Sequence, residues 1–137
     1  MVASEEKRAR ELDELRQLRL LKGRSSRLHE AVTITRTRRA GGGEIVYVSK
    51  AFTRLTGYRP DEVIGKSPGL LQGPETDRGV IQDLSNRLAA GERFHGRTVN
   101  YRKNGEPFTM DWEVVTFHDE EGNERFHLAL QREVGKR

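Results

Sequence analysis

The chain has 137 residues, with hydrophobic and charged residues each at 34% and a net charge of +4. That fits one domain with an extension rather than two domains of ordinary size. No apolar run approaches the roughly 20 residues of a membrane span, the opening VASEEKRARE lacks the apolar core of a secretory signal, and the absence of cysteine excludes disulfides, thiolate metal sites, a thiol nucleophile and any cysteinyl bond to a cofactor.

The basic excess is spread along the chain. Residues 1–30 carry eight basic and six acidic groups and residues 31–137 carry 17 and 15, so neither part is a basic block and nucleic acid is disfavoured as a partner. The densest cluster, Arg36, Arg38 and Arg39 beside Gly41–Gly43, reads as a solvated loop. A nucleic-acid contact there is the lesser alternative, since phosphate binding needs a larger footprint.

Residues 4–22 lack Gly and Pro. Ala9, Leu12, Leu15, Leu18 and Leu21 recur every three residues, Ser4 can cap the start, and Glu5 and Glu6 suit the positive end of a helix dipole. This predicts an amphipathic helix whose stripe drifts around the axis and must dock on something. Gly23, Ser25 and Ser26 interrupt it, and a second short helical piece is expected over residues 27–32. Strands follow at Thr33–Thr35 and, after a polar loop through Gly43, at Ile45–Val48. Lys50–Thr56 is a short helix closed by Gly57, and Arg59–Gly65 another, with Pro early, acids in the first turn and Gly at the end. Thr76 and Asp77 cap a longer helix to about Ala90, with Val80, Ile81, Leu84 and Leu88 on one face and Gly91 beyond. Three strands close the chain: His95–Arg102, Pro107–Phe117 and Glu124–Val134. Asn104-Gly105 predicts a two-residue turn between the first two. The fold class is α+β, an antiparallel sheet with helices grouped between its strands.

The stretch Ile45 to Tyr58, the segment Asp61–Gly65, the run Leu71 to Asp77, the stretch Asn100 to Phe108 and the ending Ala129–Gln131 together resemble a PAS domain over residues 28–134. Within that family the chain is most similar to the flavin-binding LOV branch. The resemblance implies a PAS fold: a five-stranded antiparallel sheet with short helices on one face, cupping a small-molecule pocket. The domain would span residues 28–134, preceded by the helical extension 1–27 and followed by the tail 135–137.

The resemblance also sets expectations for the site. Pro68 stands where the family's reactive cysteine belongs, so a flavin–cysteinyl adduct is chemically impossible. Gly69 and Ser85 stand where two arginines would hold the flavin phosphate, and Arg87 is two residues from the second. Asn100 and Gln131 match polar residues that bond the flavin ring, Gln72 is retained, and Met110 replaces another asparagine. Asn100, Gln131 and Gln72 are therefore the candidate cofactor-binding residues. The cofactor implied is a flavin (FMN, FAD or riboflavin) without the adduct. The favoured reading has Asn100 and Gln131 satisfying strand neighbours or water in a small cavity, with flavin contact second to it. Strand alternation places Thr98, Phe108, Trp112, Val114, His127 and Ala129 inward with them. It places Val99, Tyr101, Val115, Leu128 and Leu130 outward as an apolar patch that the N-terminal helix would cover, in cis or across a dimer.

His29, His95, His118 and His127 lack metal-site spacing, so no metal is expected. No nucleophile elbow, phosphate loop or carboxylate pair marks an enzyme. The reading is a stand-alone, cytoplasmic PAS sensory or interaction module that signals through a homodimer or a protein partner in trans. A small-molecule ligand is allowed for and no membrane is involved. The alternative is a cysteine-less LOV-like photosensor or redox sensor.

Overall fold

The computed structural model describes residues 30–37, 43–118 and 125–135. The expected N-terminal helix, most of the Arg36–Arg39 loop and the turn before the last strand lie outside them. Five strands form one antiparallel sheet: β1 (Ala31–Thr37), β2 (Gly43–Val48), β3 (Phe94–Tyr101), β4 (Pro107–His118) and β5 (Arg125–Glu133), in the spatial order β2-β1-β5-β4-β3. Between β2 and β3 run α1 (Lys50–Thr56), α2 (Pro60–Val63), a 3-10 turn (Pro68–Leu71) and α3 (Arg78–Ala89). The expected order of elements holds, with the 3-10 turn added.

Local chemistry explains the boundaries. The Ser49 hydroxyl caps α1 by accepting from Phe52 N, and Gly57, at φ 84°, ends it in the left-handed conformation that a side chain would resist. The Asp77 carboxylate accepts from Gly79 N at 2.8 Å and Val80 N at 3.3 Å, starting α3. Two sequence expectations change. Ala31 and Val32 are strand, because Gln131 and Leu130 of β5 pair with them. The β3–β4 connection is a three-residue loop rather than a two-residue turn. Arg102 N bonds Glu106 O at 2.9 Å, Gly105 has φ 91°, and no described non-glycine residue has positive φ, so Asn104 cannot occupy the mirror-image turn.

The inner face of the sheet packs against the helices. Ile45, Val48, Phe94, Phe108, Met110, Trp112 and Val114 join Ala51, Phe52, Val63 and Leu71 in one buried cluster, and Val80, Ile81, Leu84 and Leu88 of α3 lie half-buried against it. The outer face holds a second cluster centred on Ile34, Phe126 and Leu128, flanked by Val32, Val46, Tyr47, Val115, Phe117 and Leu130. Val99 and Tyr101, expected there, are not part of it. They sit on the outermost strand, and the Tyr101 ring turns over Gly73, where a Cβ would lie 2.3 Å from it. The Tyr101 hydroxyl accepts from Glu75 N at 3.0 Å.

Both outermost strands carry chain alongside. Beside β2, Ile45 N donates to Lys66 O and Gly65 N donates to Ile45 O, each at 2.8 Å. Beside β3, Thr76 Oγ1 donates to Val99 O at 2.7 Å and Asp77 N donates to Thr98 Oγ1 at 2.7 Å.

Candidate functional site

The inner face brings two of the three candidate residues together. Gln131 on β5 pairs directly with Trp112 on β4. Asn100 on β3 pairs with Phe108, and Thr98 with Met110. Antiparallel pairing sends directly opposed side chains to the same face. Asn100 and Gln131 thus converge from strands on either side of β4, each 6% exposed. Asn100 Nδ2 points at Met110 Sδ at 3.5 Å and Gln131 Nε2 at the same sulfur at 3.8 Å. Gln131 Oε1 accepts from the Thr33 hydroxyl at 2.7 Å. Two buried carboxamide donors therefore share one thioether, a weak acceptor. A neighbouring wall is aromatic: Phe94 and Trp112 have ring centroids 5.0 Å apart, inclined by 52°.

Gln72 is not part of this arrangement. Its Oε1 accepts from Arg78 Nη1 at 2.8 Å, an exposed bond, while Arg78 Nη2 reaches Gly73 O at 3.4 Å. Thr33 and Met110 complete the polar set instead. Met110 was expected inward from its alignment with a family asparagine, whereas Thr33 lies 98 residues from Gln131 in sequence and no local pattern joins them.

His127 also faces inward, 8% exposed. Its Nδ1 lies 2.9 Å from Thr116 Oγ1 and its Nε2 2.9 Å from Thr37 Oγ1. Burial, then the charges of Arg125 and His118, push its imidazole down to about 4. The ring is neutral at pH 7 and has one donor and one acceptor nitrogen to share with the two hydroxyls.

A charged cluster occupies the outer face beside the apolar one. Asp111, 4% exposed, receives His95 Nε2 at 2.9 Å and Arg97 at 3.0 Å, with Arg132 at 3.7 Å. Burial pushes its carboxyl up, but the hydrogen bonds of His95 and Arg97 and the charge of Arg132 outweigh that and hold it below the ordinary value. A cleft of about 390 Å³ opens nearby, between α3 and the edge of the sheet, and is walled by Asp83, Arg87, His95 and Glu113. No group of acids and histidines among the described residues is arranged to hold a metal ion.

A five-stranded antiparallel sheet carries its helices on one face, with a polar set buried beneath them. A model of the PAS domain matches residues 29–136, and the chain belongs to that family. Phototropin-2 of Oryza sativa subsp. japonica is 38% identical over 92 residues, 67% of this chain and 10% of its own length. A blue-light-activated histidine kinase of Brucella anthropi is 34% identical over 90 residues, 66% of this chain and 18% of its own length. The chain thus spans a minor part of these curated relatives. Among solved structures, a Light-Oxygen-Voltage domain studied with a flavin analogue superposes with a TM-score of 0.72 at 32% identity, covering 85% of each chain. The LOV domain of a blue-light activated histidine kinase from Erythrobacter litoralis does so at 0.70 and 27% identity, covering 78% of this chain and 97% of that one. The chain is a PAS domain with LOV relatives, a sensory signalling module. No described helix is long and apolar enough to cross a membrane.

A flavin mononucleotide fits the residues at one end only. The converging amides suit its ring edge. At the other end Gly69 and Ser85 are exposed, small and uncharged. The neighbouring guanidiniums are engaged: Arg78 with Gln72 and Gly73, and Arg87 with Asp83 at 3.1 Å and Glu92 at 3.7 Å. Neither of these two guanidiniums is reserved for a phosphate.

Proposed function

We propose that the outer face of the sheet is the signalling surface and that the segment 4–22 covers it, joining two copies in a homodimer or passing to a protein partner in trans. One observation carries this. Helices α1–α3 all pack on the inner face, and the outer face carries an apolar cluster of its own, Ile34, Phe126 and Leu128 with Val32, Val46, Tyr47, Val115, Phe117 and Leu130 around them. An apolar patch of this size belongs under a partner element. The register makes it a strip. Tyr47, Ile34, Leu128 and Val115 form one cross-strand row, with Phe126 and Phe117 beside it, and the charged row Arg132, Asp111 and Arg97 lies farther along. A helix with a leucine stripe and flanking acids complements such a face. A change in the inner cup reaches it through the strands, whose side chains alternate between the two faces. A ligand drives that change to the extent that it binds one arrangement better than the other.

Light scattering tests the reading. The full chain is expected at dimer mass, and removal of residues 1–26 is expected to change that mass. Leu128→Glu in the intact chain should do the same. Unchanged mass in both would remove the dimer.

A second reading, a cysteine-less photosensor or redox sensor, draws support from the convergence of Asn100 and Gln131 at Met110 Sδ. The visible absorption spectrum tests it: a flavin band retained through gel filtration sustains this reading, and a colourless protein that ignores added flavins removes it.

A further inference from the structure

The β3–β4 loop carries a pair of residues that neither the site nor the signalling surface uses. Of the four asparagines in the chain, Asn104 alone precedes a glycine. Residues 103–107 around it are all exposed. The Asn104 side chain is folded over its own backbone: Glu106 N donates to Asn104 Oδ1 at 2.9 Å, and the hydrogen-bonded ring so closed contains the Gly105 nitrogen. The side-chain carbon Cγ is thereby kept close to that nitrogen. The Glu106 N–H also polarises the Cγ carbonyl, as a donor in an oxyanion hole does. Gly105 has no side chain to shield its nitrogen, and nothing lies within 4 Å of where a Cβ would stand. One bond opposes attack by that nitrogen, which donates to Arg102 O at 2.9 Å. It lies in an exposed loop and opens by local fluctuation, without global unfolding. The other asparagines lack this arrangement. Asn86 lies in α3 before Arg87, with Oδ1 accepting from Gln82 Nε2 at 3.0 Å. Asn100 lies in β3 before Tyr101 and is 6% exposed. Asn123, which precedes Glu124, lies outside the described residues.

We propose that Asn104 is a site of spontaneous modification, converting to aspartate and isoaspartate through a cyclic imide, and that the conversion loosens the loop's hold on α1 and α2. The Gly105 nitrogen gives its proton to solvent and attacks Asn104 Cγ. The N–Cγ bond forms, the Cγ–Nδ2 bond breaks, and the side-chain nitrogen leaves as ammonia. Water then adds to either carbonyl of the five-membered ring, yielding aspartate or isoaspartate. One water is consumed, one ammonia is released, and nothing is oxidised or reduced. The net charge of +4 falls by one. The loop is where that change matters. Lys103 N donates to Thr56 O at 2.8 Å, Arg102 Nη1 donates to Leu55 O at 2.6 Å, and Lys103 Nζ pairs with Glu62 of α2. A new carboxylate at position 104 competes with Glu62 for Lys103. Isoaspartate also adds a methylene to the backbone between Arg102 and Glu106, whose N and O are bonded at 2.9 Å. The inference is independent of the signalling surface and of any flavin.

The full-length folded protein is incubated at mildly alkaline pH, sampled over time and digested with pepsin in acid, which halts the reaction. Mass spectrometry should show a gain of one mass unit in the peptide containing Asn104, as two separable products, one of them a substrate for an isoaspartate methyltransferase. The peptides containing Asn86, Asn100 and Asn123 should convert at least tenfold more slowly. Gly105→Ala, which places a methyl beside the attacking nitrogen, should slow conversion at Asn104 at least tenfold. Protein enriched in the products should unfold at a lower urea midpoint than fresh protein, and Asn104→Asp should reproduce only the part of that fall due to charge. An Asn104 that stays intact in the folded protein while a synthetic peptide of residues 100–108 converts would overturn the proposal as a whole. Conversion in Gly105→Ala as fast as in the wild type would overturn the imide route. An unchanged midpoint in the converted protein would overturn the loosening of the helices.

Discussion

Lowering the pH from 7 to 5 should destabilise this domain through His127. Its imidazole titrates near 4 when folded, against an ordinary 6.5. As pH falls through 6.5, the unfolded chain takes up a proton that the folded one refuses until about 4. Stability is therefore fully present above 6.5 and is lost progressively as pH falls toward 4, below which this group removes no more. The full span corresponds to about 3 kcal/mol, and about 2 kcal/mol is lost by pH 5. For a chain of this length that is a fall in Tm of roughly 7 °C. The assay is urea unfolding at pH 7, 6 and 5, followed by circular dichroism, on the wild type and His127→Gln. Gln removes the titration while keeping a donor and an acceptor between Thr37 and Thr116. Whatever its absolute stability, the variant should lose about 2 kcal/mol less than the wild type over this range. Equal losses in the two proteins would refute the buried-neutral assignment.

Thr33→Val removes the hydroxyl from buried Gln131 Oε1 while preserving shape, and should cost about 1–2 kcal/mol in the urea midpoint; a neutral substitution would mean that the amide has another donor. Gly73→Ala drives a methyl into the Tyr101 ring and should cost about 1–3 kcal/mol by thermal melt; the penalty should shrink in the Tyr101→Ala background, and an undiminished penalty would place the strain elsewhere. Asp111→Asn keeps the shape but removes the charge that holds His95, Arg97 and Arg132. Because those partners are largely exposed, about 1 kcal/mol is expected, and the loss should be larger at pH 7 than at pH 3, with an identical loss at both refuting the ionic role.

The sheet was legible wherever residues alternate under a turn signal. Once the resemblance set Asn100 and Met110 inward, the pleat placed Thr98, Phe108, Trp112 and Val114 with them. The Asp111 cluster was not legible: a two-residue turn at Asn104-Gly105 would set Arg97 opposite Trp112, and only the three-residue loop brings it opposite Asp111. The three-residue loop was misread because Asn-Gly favours two turn geometries, and the choice rests on the conformation of Asn104. Tertiary hydrogen bonds were not legible. Gln72 turns to Arg78, six residues on, and Thr33 meets Gln131 across the sheet; neither has a periodicity to betray it. Tyr101 obeyed its pleat direction, but the edge position let it curl over Gly73, which no strand pattern encodes.

The chain lying alongside the two outermost strands limits how copies can meet. Ile45 has both of its free backbone groups engaged by Gly65 and Lys66, and on β3 the Val99 carbonyl accepts from Thr76 while Asp77 N bonds the Thr98 side chain. A sheet whose margins are open can extend by adding a strand from a neighbour, the route by which β domains run into fibrils and swapped oligomers. Here that growth would first have to peel away a loop at either margin. The loops therefore steer self-association toward stacking of sheet faces, which closes after two copies instead of continuing, and a rise in concentration should lead to a finite assembly rather than to polymer.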